Sequence, residues 1–252
     1  MRKIVFAVLA ISLLSSCTKK AAESSEKELL VGTDAAYAPF EIENPDKTIT
    51  GFDIDVINAI AAKEHLKLKF VNTPWEGIFS QLSMGDRDLL VSAITITDAR
   101  KKEVDFSEPY FESMQLIAVP TNSKVANVDD LKGLKVGLQT GTTGDEVVSN
   151  IIGKTNPNIK RFESTPVVLK ELQGGGVDVV VADNGVVNNF LKNNKATFKT
   201  ISDPKFPKEY YGMAVKKGNL ELLKKLNSGL SAIKADGTYA QIYQKYFDKK
   251  VE

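Results

Sequence analysis

Residues 66–92 read LKLKFVNTPWEGIFSQLSMGDRDLLVS and alternate short apolar runs with a segment of helical period. The runs at 66–71 and 89–92 have the length of buried strands, and Ile78 and Leu82 lie four residues apart between them. A strand, a helix and a second strand in this order predict two parallel strands joined by a crossover helix. The stretch therefore indicates an α/β fold.

The same alternation continues in both directions and restarts once, after Pro120. The predicted strands are residues 29–33, 66–71, 89–92, 135–138, 159–162, 177–182 and 211–215. The predicted helices are residues 51–64, 75–84, 145–152, 166–173, 184–192, 220–235 and 238–247. Two such units of similar size predict two α/β lobes, each with a mostly parallel sheet and helices on both faces.

The N-terminus has the pattern of an export signal, predicted to cover residues 1–16. Arg2 and Lys3 precede the apolar residues 4–14, which are too few to span a bilayer comfortably, so we expect no transmembrane anchor. The sequence LSSC at 14–17 resembles the bacterial lipobox. That resemblance implies cleavage before Cys17 and lipid attachment to it; the alternative is an ordinary secretory peptide.

Cys17 is the only cysteine, so no intramolecular disulfide can form. Lipidation gives a role to an otherwise unpaired thiol in an exported protein. Residues 17–27 are polar, small and without periodicity, which predicts a flexible tether behind the lipid.

The charge balance and the residue inventory exclude several classes of function. Without residues 1–16 the chain keeps 31 basic and 32 acidic residues of its original 33 and 32, and this near-neutral balance predicts no nucleic-acid partner. One histidine, His65, and one cysteine leave zinc sites of the usual spacing and Ser-His or Cys-His nucleophiles unsupported. We expect neither a cofactor nor a metal.

Polar side chains cluster in residues 91–110, directly after a predicted strand. Hydroxyl groups such as that of Thr95 precede Arg100, whose planar guanidinium can bind a carboxylate through two parallel hydrogen bonds. Spacing alone leaves a second interpretation open, in which Arg100 merely pairs with Asp98 or Glu103 on the surface.

Other polar residues follow other predicted strands, where open α/β sheets bind ligands. Each has an ordinary alternative role in a turn, a helix cap or the core. Taken together they match an amino-acid zwitterion. Arg100 and the backbone near Thr95, with Thr142 and Thr143 at a predicted helix N-terminus, suit a carboxylate. The remaining candidates are Asp183 for the ammonium group, Tyr37 and Trp75 as faces around a side chain, and Asp34 at its polar tip.

The chain resembles the family 3 solute-binding proteins, the polar amino-acid-binding components of bacterial ABC importers. The matching segments are GTDAAYAPFE, GFDID, PWEGIFSQLSMGDRDLL, SAITITDARKKEVDFSEPY, DLKGLKVGLQTGTTGD, VDVVVAD and EYYGMAVKKGN, between residues 31 and 247. The resemblance implies a type II periplasmic-binding-protein fold with a central cleft. It places lobe 1 at residues 28–118 and 210–252, lobe 2 at 119–209, and crossovers near 119–122 and 206–211.

The resemblance also implies roles for single residues. Arg100 and Thr95 match carboxylate-binding positions, and Thr143 matches a donor from the second lobe. Ala93 matches a position whose carbonyl accepts from the ammonium group, and Asp183 its acidic partner. Asp34, Tyr37 and Trp75 match the side-chain pocket. Gln139 departs from glutamine-binding members, which often carry lysine there.

These observations predict a lipid-anchored, exported, monomeric protein that closes its lobes around an amino acid and delivers it to the permease of an ABC importer. Asp34 between aromatic faces favours arginine or lysine, followed by glutamine and histidine. The alternative is an enzyme on the same scaffold that resembles cyclohexadienyl dehydratases. It would need a cleft acid poised near neutral pH.

Overall fold

The structure is a computed structural model, and it describes residues 27–192 and 194–247. The predicted signal peptide, Cys17 and most of the predicted tether lie outside the described residues. The strands are β1 (Glu28–Thr33), β2 (Ala36–Tyr37), β3 (Glu41–Glu43), β4 (Ile49–Thr50), β5 (Lys67–Asn72), β6 (Leu89–Leu90), β7 (Val104–Phe106), β8 (Phe111–Pro120), β9 (Val136–Gln139), β10 (Ile159–Phe162), β11 (Val179–Asp183), β12 (Phe198–Ile201), β13 (Lys208–Tyr211) and β14 (Ala214–Lys216). The α-helices are α1 (Phe52–Glu64), α2 (Ile78–Met84), α3 (Arg100–Glu103), α4 (Thr143–Ile152), α5 (Thr165–Gly174), α6 (Asn184–Lys192), α7 (Leu220–Ala235) and α8 (Thr238–Tyr246).

The strands form two main sheets, as the restart of the pattern predicts. The first has the order β5-β1-β6-β14-β7, with β1 parallel to β5 and β6. The second has the order β10-β9-β11-β8-β12, with β9 parallel to β10 and β11. Antiparallel strands complete both sheets. A small third sheet, β2-β3-β4, packs beside α1. Two α/β units of this kind are the architecture of the predicted fold class.

The connection between the sheets is an antiparallel pair of strands. β8 pairs with β13 over Phe111–Met114, and from Gln115 to Pro120 it pairs with β11 and β12 of the second sheet. The first crossover was expected near 119–122, but the chain enters the second sheet earlier because β8 is one unbroken strand. We therefore propose that lobe 2 begins at Gln115. β13, at Lys208–Tyr211, is the partner of β8 in this connection, and the second crossover stays a prediction for residues 206–211.

An aromatic cluster packs behind this pair of crossover strands. The rings of Phe111 and Tyr211 stack with their centroids 5.3 Å apart, and Phe40 packs edge-on against both. Tyr239 of α8 is buried, and Tyr243 stacks on Phe111 at 5.9 Å. The tyrosine stripe of the last helix thus packs against the fold, as its helical spacing predicts, and it supports the strands that join the lobes. In the described part of the chain, no helix combines the length and apolarity needed to cross a bilayer.

Candidate ligand site between the lobes

The candidate residues are brought together by the ends of the strands. Asp34 follows β1, and Ala93 lies three residues past the end of β6, on one side of the cleft. Gln139 and Asp183 are the last residues of β9 and β11 on the other side. These strands are parallel within each sheet, so their carboxyl ends meet at one edge and the two edges face each other.

One cavity at this meeting point is lined by all ten residues selected from the sequence. The only addition is Ser92, so the lining consists of Asp34, Tyr37, Trp75, Ser92, Ala93, Thr95, Arg100, Gln139, Thr142, Thr143 and Asp183. The volume open to a water-sized sphere is about 20 Å³, which is room for roughly one water molecule. The described arrangement is therefore a closed cleft, and a larger molecule can enter only if the lobes or the lining side chains move.

Arg100 is held at the cavity by both lobes. Its Nη1 donates to the carbonyl of Thr95 at 2.8 Å, and its Nη2 lies 3.4 Å from the carbonyl of Gly141. The guanidinium carbon lies 5.1 Å from the ring centroid of Trp75 and 5.4 Å from that of Phe79. Since both rings attract a cation, they stabilise its position. Burial lowers the pKa of Arg100, and the nearby charge of Asp183 raises it. The surface pairing with Asp98 or Glu103 left open by the sequence is not among the contacts of Arg100 in the described residues.

Asp183 is a buried carboxylate surrounded by donors. Gln115 and the hydroxyl group of Tyr211 donate to its two oxygens, and Tyr37 also hydrogen-bonds to it. Burial raises the pKa of Asp183 to about 6, and the charge of Glu209 adds to that effect, while the three donors lower it. The donors favour the ionised form, which is the form that binds an ammonium group.

Glu209 is a further buried acid at the cleft, and the sequence reasoning did not select it. It accepts hydrogen bonds from the hydroxyl groups of Thr95 (2.7 Å) and Thr143 (2.8 Å). Gln115 Nε2 lies 3.2 Å from its other oxygen. Because Thr95 belongs to the first lobe and Thr143 to the second, Glu209 links the two lobes from its position on β13.

Asp34 and Gln139 meet across the cleft. Gln139 Nε2 lies 3.3 Å from Asp34 Oδ2 and 3.1 Å from the carbonyl of Glu163, while its Oε1 accepts from the Thr165 hydroxyl at 2.8 Å. The amide is thereby oriented with its NH₂ group toward Asp34. Burial raises the pKa of Asp34, and its hydrogen bonds with Gln139 and the backbone of Trp75 lower it.

The cavity carries more negative than positive side chains. Asp34 and Asp183 line it together with the single cation Arg100, and the carboxylate of Glu209 lies behind it, bonded to Thr95 and Thr143. A neutral zwitterion leaves this imbalance unchanged, whereas a ligand with a cationic side chain reduces it. Thr142 adds no charge; its hydroxyl accepts from the backbone N–H of Asp145 and caps α4. Within the described residues, no three acidic, histidine or cysteine side chains are grouped to hold a metal ion.

The sequence also matches a known protein family. Residues 29–249 match the model of the bacterial extracellular solute-binding proteins, family 3. The chain belongs to this family. A curated family relative, a probable histidine-binding protein of Neisseria gonorrhoeae, is 42% identical over 99% of this chain and 97% of its own length. The L-arginine-binding protein of Pseudomonas aeruginosa is 32% identical, with 98% of this chain and 97% of the relative covered.

The structure is also similar to a solved structure of an amino-acid-binding protein. The arginine-, lysine-, histidine-binding protein ArtJ of Geobacillus stearothermophilus superposes with a TM-score of 0.86 and 42% identity, covering 90% of this chain and 97% of ArtJ. The fold of this family 3 protein is therefore the type II periplasmic amino-acid-binding fold, as the resemblance implies.

Two polar residues of the site, Glu209 and Gln115, were missed at the level of sequence. In β13 the burial alternates, so Glu209 and Tyr211 face inward while Lys208 and Tyr210 face solvent. A strand assigned to residues 208–211 would have shown this period of two and placed a carboxylate on the buried face. Gln115 is fully buried within β8, a strand that the sequence analysis did not assign.

Proposed function

We propose that this family 3 protein binds a single amino acid in the cleft and delivers it to the permease of an ABC importer. The proposal rests on the observation that Arg100 and Asp183 line the same cavity. An α-amino acid presents a carboxylate and an ammonium group a few bond lengths apart, and these two side chains offer the complementary charges. The backbone N–H groups of Thr95 and Thr143, whose hydroxyl groups donate to Glu209, supply the remaining donors, and the carbonyl of Ala93 supplies the acceptor.

The preferred ligand is a basic amino acid, arginine or lysine, followed by histidine and glutamine. Two acids in the cavity lining and a third, Glu209, behind it, against one arginine, favour an additional positive charge in the cavity. Asp34, beside Trp75, is placed to accept from a guanidinium, ammonium or imidazole N–H group. The names of the related proteins agree with this choice, since they bind histidine, arginine or lysine.

Closure of the lobes couples binding to delivery. The ligand groups contact residues of both lobes, so the closed form binds more tightly than the open form and its population rises on binding. Glu209, Arg100 and Gln139 already make contacts between the lobes, which lowers the cost of reaching the closed form. The importer would then receive a rigid, closed protein. The same proposal includes a monomeric protein exported by residues 1–16 and held to the membrane by a lipid on Cys17.

The alternative, a dehydratase, gains one observation from the structure. The pKa of Asp183, near 6, is that of an acid poised near neutral pH. Three donors to its carboxylate, however, fit an anion that receives an ammonium group better than an acid that releases a proton. Conversion of prephenate to phenylpyruvate by the purified protein would support the alternative.

Thermal-shift screening of the standard amino acids, followed by calorimetry of those that stabilise the protein, tests the proposal. We expect arginine, lysine or histidine to give the largest shift and a single saturable site. Stabilisation by leucine with none by any polar amino acid would contradict the proposed pocket. Arg87→Ala is the matched control for substitution of Arg100 by alanine. Arg87 donates to the Thr73 hydroxyl outside the cavity, so this variant should bind the ligand as the wild type does.

A further inference from the structure

Two acids lie together beneath the floor of the cavity without lining it. Glu41 in β3 and Asp53 in α1 are both fully buried. Their side chains lie within hydrogen-bonding reach of each other. In the described part of the chain, neither forms an ion pair with a lysine or arginine. Buried acids without a cation need another source of stabilisation.

The hydrogen bonds account for one oxygen of each acid. Glu41 Oε1 accepts from the Ser92 hydroxyl at 2.8 Å. Asp53 Oδ2 accepts from the backbone N–H of Ala93 and from the Tyr110 hydroxyl, each at 2.7 Å. The other two oxygens, Glu41 Oε2 and Asp53 Oδ1, are buried and receive no donor from the described residues.

A proton between the two acids would remove both the repulsion between their carboxylates and the lack of a donor to two of their oxygens. Two ionised carboxylates in contact and away from water repel each other strongly, and acceptors alone cannot bond to each other. One proton held between Glu41 Oε2 and Asp53 Oδ1 would give each of these oxygens a partner and leave the pair with a single negative charge. Burial raises the pKa of Glu41 well above its ordinary value, and the charge of Asp53 adds to the rise. The other titratable groups that interact with the pair are Asp34 and the hydroxyl groups of Tyr37, Tyr110 and Tyr239.

The pair is connected directly to the ligand cavity. Ser92 and Ala93 both line it, and the Ser92 oxygen also accepts from the backbone N–H of Asp34 at 2.9 Å. Ala93 has a φ of 44°, in the left-handed region that residues other than glycine rarely adopt. Its N–H bond to Asp53 holds this conformation, which directs the backbone that follows into the cleft.

We propose that Glu41 and Asp53 share one proton and act together as a positioning unit for Ser92 and Ala93 at the floor of the ligand site. Neither acid contacts the ligand. The unit fixes the Ala93 backbone and the start of the Asp34 loop. The part of this inference that concerns ligand affinity rests on the proposed function, whereas the shared proton does not.

Infrared spectroscopy of the ligand-free protein at pH 8 tests the shared proton. We expect the C=O stretching band of a protonated carboxyl group in the wild type. The band should be lost in Glu41→Gln and in Asp53→Asn, since either amide supplies the bridging hydrogen without a titratable proton. Loss in only one variant would indicate a proton held by one acid alone. That result, or no band in the wild type, would overturn the shared proton.

The melting temperature provides a second readout that needs no ligand. A raised pKa in the folded state gives stability that is present at low pH and is lost as the pH rises through that pKa. Between pH 6 and 9 the melting temperature of the wild type should therefore fall more than that of Glu41→Gln, because the variant has no titratable group at this position. Parallel curves would contradict the proposal.

Calorimetry with L-arginine and L-histidine tests the positioning role. Glu41→Gln should bind within about threefold of wild type, while Glu41→Met, which keeps the volume but offers Ser92 no acceptor, should bind at least tenfold more weakly. Equal affinities of folded Glu41→Met and wild type would overturn the positioning role. If neither amino acid binds the wild type but the infrared band behaves as expected, the proposed ligand fails and the shared proton stands.

Discussion

The molecule contains two clusters of buried acids a short distance apart, and they are stabilised in opposite ways. Asp183 lines the cavity, and donors from Gln115, Tyr211 and Tyr37 surround its oxygens. Glu41 and Asp53 are not part of that cavity's lining, and each keeps one oxygen without a donor from the described residues. An acid that faces open space and several donors can remain ionised and receive a cation. Acids enclosed together must hold a proton of their own.

Burial alone therefore does not mark a binding residue. Burial raises the pKa of all three acids. What separates them is the geometry of the donors and the presence of a cavity. Substitutions at Asp183 and at the Glu41–Asp53 pair should therefore have different effects on ligand binding.

The largest effects are expected at the two charges that bind the zwitterion. Arg100→Ala and Asp183→Asn should each weaken binding of the preferred amino acid by about 2–5 kcal/mol, because each leaves a buried ligand charge without its partner. Calorimetry measures the change. Asp203→Asn is the matched control, since Asp203 is buried and accepts from Val128 N–H away from the cavity. A near-wild-type affinity in either cleft variant would remove its assigned role.

Gln139→Lys should alter selectivity. A lysine ammonium group would lie opposite Asp34, whose Oδ2 is 3.3 Å from the Gln139 amide nitrogen that the ammonium group replaces. It would neutralise the acid and repel a cationic side chain, at a cost of several kcal/mol to arginine binding. L-Glutamine, which has no side-chain charge, should lose far less. Equal losses for the two amino acids, measured by calorimetry, would show that Asp34 does not contact the side-chain tip.

The affinity for the ligand should also depend on pH. The pKa of Asp183 is raised to about 6, so the free protein carries a protonated Asp183 below that pH. Binding an ammonium group requires the ionised form, and affinity should fall by about tenfold per pH unit below 6. In Asp183→Asn the weak remaining affinity should show no such fall. For the ligand-free protein the sign is opposite: the raised pKa stabilises the fold at low pH, and this contribution is lost as the pH rises through 6.

The smallest effect is expected at Phe79, which contacts Arg100 without lining the cavity. Phe79→Leu keeps the apolar volume but removes one of the two rings beside the guanidinium, at a cost of about 0.5–1 kcal/mol. Affinity should fall less than tenfold. Phe190→Leu, a partly buried ring packed on Phe198, provides the control. A fall equal to that of Arg100→Ala would mean that Phe79 supports the fold of the site as a whole.

Much of the fold could be predicted because its helices and central strands carry strong periodic patterns. α7 and β10 have the predicted bounds, and α1 differs by one residue. The patterns failed where strands are short or amphipathic. The small sheet of β2, β3 and β4 has strands of two or three residues, too few to show a period. The ten-residue strand β8 was missed because its polar residues, among them Glu112, Ser113 and Gln115, interrupt the apolar run.

The candidate site was largely accessible from sequence because its residues follow strands with recognisable ends and match family motifs. Glu209 could not be found in the same way. It precedes no helix and ends no predicted strand, and its importance arises from the hydroxyl groups of Thr95 and Thr143 that the closed lobes bring to it. The relation between Glu41 and Asp53 likewise depends on packing between β3 and α1, which no local pattern records.

The most direct test of the account is a crystal structure of the protein with L-arginine. We predict closed lobes, Arg100 bonded to the ligand carboxylate, Asp183 bonded to its α-ammonium group and Asp34 near the guanidinium. A ligand bound in the reverse orientation, or at a place that leaves Arg100 and Asp183 without contact, would contradict it.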